Sequence, residues 1–144
     1  MKQFSLLLIA LFIGTILYAQ KVAAYSYGEL GNDNYERFSF WIKNNKRSDI
    51  YYSYSKVGKE IKLKFIGTGI FNGDSCFKVQ FANDYVLHII PKNNQLKVCD
   101  PTGKYSKYFK WEYEGPINGI GTFCEPCAED GDAAMDLIKI YYQK

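Results

Sequence analysis

The sequence predicts an all-β protein: an antiparallel up-and-down meander of about eight strands, as a small barrel or strongly curled sheet, with one C-terminal α-helix packed on it. Apolar and polar residues alternate at period two from about residue 22 to residue 113. The breaks between these runs are short and rich in Asn, Asp and Gly, which favours antiparallel neighbours. The 144 residues also include 13 Tyr and 10 Phe, whose flat side chains suit a pleated surface.

Residues 1–19 are expected to be a signal peptide that is cleaved. Lys2 precedes a nearly unbroken apolar run from Phe4 to Ile16, and the small Ala19 suits the cleavage position. This run is too short for a comfortable membrane span, and an uncleaved anchor is the alternative. Cleavage leaves residues 20–144 as a single secreted or periplasmic domain without stable membrane insertion, in a compartment where disulfides form.

Strands are predicted throughout residues 22–114. Their approximate spans are 22–29, 36–43, 50–56, 60–71, 76–82, 85–90, 95–99 and 104–114. In the fourth strand the apolar parity changes between Phe65 and Ile70, which predicts a bulge at Gly67 or Gly69.

The strand register follows from the turns. A hairpin turn at residues 82–84 places Val79 opposite Leu87, and a loop at residues 91–94 places Leu87 near Val98. Large apolar side chains then share one face of the sheet, and that face is the predicted core. Because an eight-stranded barrel has room for little more than its own side chains, this bulky lining predicts a filled interior.

The chain changes character after the strands. Residues 115–127 form a predicted loop rich in Gly and containing two Cys, and residues 128–142 show helical spacing of Ala134, Leu137, Ile138 and Tyr141. The apolar stripe of this helix needs a surface to cover. The outer face of the sixth strand, around His88, is the expected one, which makes His88 a sheet residue partly covered by the helix.

Four cysteines are disulfide candidates and allow three pairings: Cys76, Cys99, Cys124 and Cys127. In the predicted register Cys76 and Cys99 lie on the outer face, on the order of 15 Å apart, which is too far for a direct bridge. Cross-links from these two to Cys124 or Cys127 are therefore favoured. A four-cysteine zinc site is the alternative, although an oxidising compartment competes against thiolate ligands, and we expect no metal or cofactor.

Residues Cys124-Glu125-Pro126-Cys127 resemble the C-x-P-C active-site motif of thioredoxin-like oxidoreductases, which also precedes a helix. The resemblance covers four residues and implies a redox pair, Cys124 and Cys127. The carboxylates of Glu125 and Glu129 oppose thiolate formation, and the strand-rich chain before the motif departs from that fold.

Other side chains carry weaker signals. Trp41, Tyr51 and Tyr108 have outward parity and are candidate surface binding aromatics. The lysines at 104, 107 and 110 are expected on outward positions or turns, where they protect strand edges. Paired carboxylates for glycoside hydrolysis would come from this set: Glu29, Glu36, Asp49, Glu60 and Glu112.

Composition narrows the function classes. A net charge of +3 is too balanced for a polyanion binder, and Arg37 and Arg47 are the two arginines, so nucleic acid is not an expected partner. The sequence favours a non-enzymatic binding or interaction module for a protein, a glycan or a small hydrophobic ligand. The alternative is a thiol-disulfide oxidoreductase that uses the C-x-P-C motif.

Overall fold

The computed structural model describes residues 20–55, 59–112 and 127–144. Eight strands and one helix lie in these ranges. The strands are β1 Gln20–Tyr27, β2 Glu36–Lys43, β3 Lys46–Tyr54, β4 Ile61–Phe71, β5 Asp74–Gln80, β6 Val86–Lys92, β7 Gln95–Cys99 and β8 Ser106–Trp111. The helix, α1, is Gly131–Tyr141.

The strands form a closed up-and-down barrel. Each strand pairs antiparallel with the next, and β8 returns to pair with β1 through Tyr25↔Trp111 and Ser26↔Lys110. The all-β meander with one C-terminal helix is therefore confirmed, and the strands close on themselves rather than leaving a curled open sheet. The predicted bulge is also present, since the register of β4 against β5 shifts between Phe65 and Gly67.

The two ends of the barrel differ in their connections. At one end, here called the turn end, two-residue turns join the strands at Asn44-Asn45, Asn72-Gly73 and Asn93-Asn94, all with positive φ. Asn tolerates this left-handed conformation, which tight hairpin turns require. The longer connections after β1, β3, β5 and β7 lie at the opposite end, here called the loop end.

The β6–β7 hairpin differs from its predicted register. The strand continues through Pro91 and Lys92, so the loop is the two-residue Asn93-Asn94 turn and Val98 pairs with Ile89 rather than Leu87. The prediction assigned four residues to this loop because proline has no N–H to donate to a neighbouring strand and is rare inside sheets. The shorter loop moves every residue of β7 by two positions along β6.

The interior of the barrel is packed with large apolar side chains. Fully buried rings include Tyr25, Phe38, Phe40, Phe77 and Phe109. Many of these rings meet edge to face, such as Phe38 against Phe109 with centroids 5.1 Å apart. These contacts add to the burial of apolar area, and they account for much of the high aromatic content.

Helix α1 closes the turn end of the barrel. Its buried side chains, Ala134, Met135 and Ile138, belong to the interior cluster and not to the outer face of β6 where the sequence placed them. Tyr142, just beyond the helix, is fully buried and packs against Phe40 at 5.3 Å between centroids. The predicted packing surface was wrong because an apolar stripe also fits an open barrel end.

Local signals fix both ends of this helix. The side chain of Asp130 caps the N-terminus by accepting a hydrogen bond from Ala133 N at 2.8 Å. Asp132 and Lys139 lie in the first and last turns, where their charges complement the helix dipole.

Across the described ranges, no helix has the length and apolar character that crossing a membrane requires.

Candidate functional site

An ion pair with a buried carboxylate and a half-buried ammonium lies inside the loop end of the barrel. Glu36, 8% exposed, contacts the Lys107 ammonium through Oε1. Its Oε2 atom accepts hydrogen bonds from the hydroxyls of Tyr52, at 3.0 Å, and Tyr105, at 2.6 Å. Both carboxylate oxygens are thus paired, and the partners come from β3, from β8 and from Tyr105, the residue just before β8.

Strand alternation places this pair in the interior. Glu36 has the same parity on β2 as Phe38, and Lys107 has the same parity on β8 as Phe109. The expectation that Lys107 is outward was therefore wrong, because a side chain two positions from an inward phenylalanine points the same way. The signal was present in the sequence as a lysine interrupting an inward series of aromatics.

The two phenols remain donors over a wide pH range. Burial, reinforced by the neighbouring Glu36 carboxylate, raises the pKa of Tyr105 well above its ordinary value. Burial and the same carboxylate raise the pKa of Tyr52. Both hydroxyls are protonated at neutral pH, as ordinary phenols are, and the raised pKa values keep them as donors to Glu36 at more alkaline pH as well.

Aromatic rings surround the ion pair. The Lys107 Nζ atom lies 4.7 Å from the ring centroid of Tyr27 and 5.0 Å from that of Tyr105. Further rings continue towards solvent, and Tyr85 is 43% exposed. We call this set the mouth: Tyr27, Glu36, Tyr52, Tyr54, Phe81, Tyr85, Tyr105 and Lys107.

A cleft of about 450 Å³ lies beside the mouth, on the rim of the barrel. Tyr54 belongs to both, because it packs on Tyr52 at 6.0 Å between centroids and also lines the cleft. Leu30, which is 69% exposed, and Tyr35 are further lining residues. The cleft therefore combines apolar and polar groups and meets the mouth at Tyr54.

Glu112 braces the wall of this rim cleft. The Tyr35 hydroxyl donates to Glu112 Oε2 at 2.6 Å, and Arg37 Nε lies 3.4 Å from the same oxygen. Burial and this carboxylate raise the pKa of Tyr35. The braced side chains give the cleft a defined shape on the side nearest the barrel.

Cys76 and Cys99 are buried free thiols on the outer face of the barrel, so the predicted cross-links to the C-terminal segment are not formed. The prediction failed because α1 packs at the barrel end, away from this face. The corrected register places Cys99 opposite His88, two positions from the residue opposite Cys76. Two strand spacings and two residues still separate their Cα atoms by about 12 Å, beyond disulfide reach.

His88 lies between these thiols and is not covered by the helix. Its ring centroid is 4.5 Å from that of Phe71, and its Nδ1 atom is 3.7 Å from Cys76 Sγ. Phe71, Cys76, Ile90 and Cys99 form a small cluster, here called the outer cluster. Among the described residues, no group of three or more His, Cys, Asp or Glu side chains is arranged to hold a metal ion.

The C-x-P-C motif falls partly within the described residues. Cys124 lies outside them, whereas Cys127 is described and is disulfide-bonded. The backbone of Cys127 bridges to Val22 of β1, and the next residue, Ala128, donates to Val22 O at 2.9 Å. Cys127 also lines a groove of about 490 Å³ between β1 and α1.

The three candidate surface aromatics lie on outward positions of separate strands. Trp41 and Tyr51 are on the neighbouring strands β2 and β3, and Tyr108, 52% exposed, is on β8. Because β1 separates β8 from β2, Tyr108 is not adjacent to the other two. The aromatics that the structure brings together are instead those of the mouth.

Comparison with known proteins yields no relative. No family model, no curated protein and no solved structure matches this chain.

Proposed function

We propose that this protein is a secreted, non-catalytic binding protein that takes a small ligand at the loop end of its barrel. The observation that carries the proposal is the difference between the two ends. Helix α1 and Tyr142 fill the turn end, whereas the loop end has partly exposed rings and the ion pair of Glu36 and Lys107. The mouth of a β-barrel is a common place for ligand sites, where apolar walls surround a few fixed polar groups.

The energetics of the ion pair support this proposal. Burying most of Glu36 and much of the Lys107 side chain carries a desolvation cost that apolar side chains of similar size would not have. A barrel that needed only a filled core has no use for such a pair at its loop end. In a binding site, fixed polar groups of this kind orient the ligand and make the site specific. Ligand binding would therefore explain why the barrel contains them.

The rim cleft provides room that the interior lacks. The cleft of about 450 Å³ shares Tyr54 with the mouth. In this proposal the body of the ligand lies in the cleft and one end reaches over Tyr54 towards Glu36. That volume lies in the range of small-molecule sites, roughly 300–1,000 Å³. The ligand in this proposal is therefore a small molecule, or the end of a larger one, and not an extended chain.

The test is fragment screening by ¹H–¹⁵N correlation spectra of the mature protein. Fragments should shift the amide signals of Tyr27, Tyr54 and Tyr105, and the Tyr54→Ala variant should bind those fragments more weakly. Tyr108→Ala, an exposed aromatic on the outer face, is the matched control and should leave fragment binding unchanged. Fragment binding confined to the outer face, or none at the loop end, would contradict the proposal.

Secretion is tested separately. We expect the protein in the periplasm or the medium, with Gln20 as its first residue, and N-terminal sequencing of the recovered protein checks this position. A chain recovered in membranes with Met1 in place would contradict cleavage.

A thiol-disulfide oxidoreductase is the second candidate, favoured by one observation. Cys127 is disulfide-bonded and lines an open groove, so a substrate thiol has a surface to approach. The wild-type protein would then catalyse insulin reduction by dithiothreitol, and Cys127→Ser would abolish the catalysis. Cys99→Ser, which removes a buried free thiol, is the control. An inactive wild type rejects this candidate.

A further inference from the structure

The mouth contains the parts of a binding site for a cation. Glu36 is held on β2, and two phenol donors fix its Oε2 atom at 2.6 and 3.0 Å. Its Oε1 atom faces an ammonium group, that of Lys107. A carboxylate held in this way needs no reorganisation to accept a positive group, and partial burial strengthens the attraction.

Two aromatic faces complete the environment. The Lys107 Nζ atom lies within 5.0 Å of the ring centroids of both Tyr27 and Tyr105. Ring faces attract cations within about 6 Å of the centroid, and protein sites for ligand ammonium groups combine such faces. The position now occupied by Nζ therefore suits an ammonium group whatever molecule carries it.

Lys107 is the member of the pair that is free to leave. Its side chain is 28% exposed, against 11% for Glu36. Lysine has a flexible four-carbon stem, so rotation about its side-chain bonds carries the ammonium out towards solvent. The carboxylate has no such freedom, because two strands and the phenols hold it in the interior.

We infer that the ligand of the mouth is an organic cation, a primary ammonium group on a short apolar stem, which displaces the Lys107 ammonium from Glu36 and from the rings of Tyr27 and Tyr105. This inference rests on the proposed function and names its ligand class. An anionic ligand is disfavoured because the carboxylate beside Lys107 would repel it. In the free protein Lys107 acts as an internal competitor that keeps the site filled.

The competition sets the expected measurement. Because Lys107 occupies the site most of the time, only a small fraction of wild-type molecules has a vacant site. The apparent association constant of the wild type is the intrinsic constant multiplied by that fraction. Lys107→Met keeps an unbranched stem but removes the charge. It should bind n-butylammonium chloride at least about tenfold more tightly than the wild type does, measured by amide shifts in ¹H–¹⁵N spectra. Adding Glu36→Gln to Lys107→Met should abolish that gain.

Matched controls separate this effect from a general change of charge. Lys110→Met removes the same charge from an exposed position on the same strand and should leave n-butylammonium affinity unchanged. Sodium butyrate at the same ionic strength has the same stem with a negative head group and should not shift the mouth signals. In the wild type, saturating n-butylammonium should move the side-chain ¹⁵Nζ signal of Lys107 to the position of solvent-exposed lysines, a readout that needs no variant.

The outcomes distinguish the two proposals. Equal n-butylammonium affinity in the wild type and Lys107→Met, with an unmoved Lys107 signal, would overturn the displacement by a cation. Butyrate binding that is lost in Lys107→Met would show an anionic ligand, which overturns this inference and leaves a binding function at the loop end intact. If neither probe nor any fragment binds at the mouth, the proposed function fails as well.

Discussion

The Nδ1 atom of His88 lies 3.7 Å from the Sγ atom of Cys76 on the outer face of the barrel. Burial raises the pKa of the Cys76 thiol, and burial together with Lys78 lowers the pKa of His88. Both shifts favour the uncharged forms, so this is a neutral thiol beside a neutral imidazole. An activated cysteine needs the opposite shift in its thiol pKa, and this contact therefore gives no support to nucleophilic catalysis.

The lowered pKa of His88 predicts that the protein becomes less stable as the pH is lowered. Unfolded histidine gains a proton at about pH 6.5, whereas folded His88 gains it only at lower pH. The unfolded state thus binds more protons between those two values, and the free energy of unfolding decreases as pH falls through this window. Urea unfolding at about pH 7.5 and about pH 5.5 measures the decrease.

His88→Gln serves as the comparison. The chain has one histidine, so the difference between wild type and variant isolates its protonation from that of the carboxylates. We expect a smaller loss of stability on acidification in the variant. An identical loss in both proteins would show that His88 protonates equally well in the folded and unfolded states.

The buried thiols predict a particular pattern of chemical modification. Cys76 and Cys99 are 1% and 2% exposed, so Ellman's reagent should react with them slowly in the native protein and rapidly in guanidinium chloride. Peptide mapping without reduction should recover both as free thiols. A peptide that joins either of them to Cys127 would contradict the structure.

The meander could be predicted from sequence because period-two alternation and short polar breaks act locally. The β6–β7 register could not, since Asn93-Asn94 forms a two-residue turn without glycine and Pro91 remains in its strand. The position of α1 was also beyond local signals. The apolar stripe of α1 shows that the helix packs against some apolar surface. It does not show which one, because a barrel end and the outer face of a sheet can both be apolar.

The candidate site was predictable in part. The parity of Tyr52 and Tyr105 is readable from the sequence, and Lys107 has that same inward parity between Tyr105 and Phe109. The sequence does not show that Glu36 and Lys107 meet, because β2 and β8 are brought near each other only when the barrel closes through β1. Ion pairs of this kind depend on closure, which no pairwise strand pattern specifies.

The bulge in β4 predicts a contrast between two glycines. Gly67 has a φ of +128°, a backbone conformation that is strained for residues with a Cβ atom, although the space beside Gly67 is open. We expect Gly67→Ala to lower the free energy of unfolding by about 1–3 kcal/mol. Gly69→Ala is the control, because a Cβ there meets the Lys78 side chain at an ordinary 3.9 Å, and its effect should be about zero to slightly stabilising. Equal effects on urea unfolding would contradict this account of the bulge.

Two buried tyrosines predict opposite responses to loss of their hydroxyls. The Tyr142 hydroxyl donates to Trp41 O at 2.7 Å, so Tyr142→Phe should lower the free energy of unfolding by about 1 kcal/mol. Tyr25 is also fully buried, but its hydroxyl has no hydrogen-bond partner among the residues that the structure describes. Folding therefore strips water from that group without compensation, and Tyr25→Phe should raise stability by about 1 kcal/mol. Urea unfolding of both variants and of Tyr108→Phe, an exposed control, measures these changes. Destabilisation by Tyr25→Phe would contradict the prediction and reveal that its hydroxyl is hydrogen-bonded, for instance to a buried water.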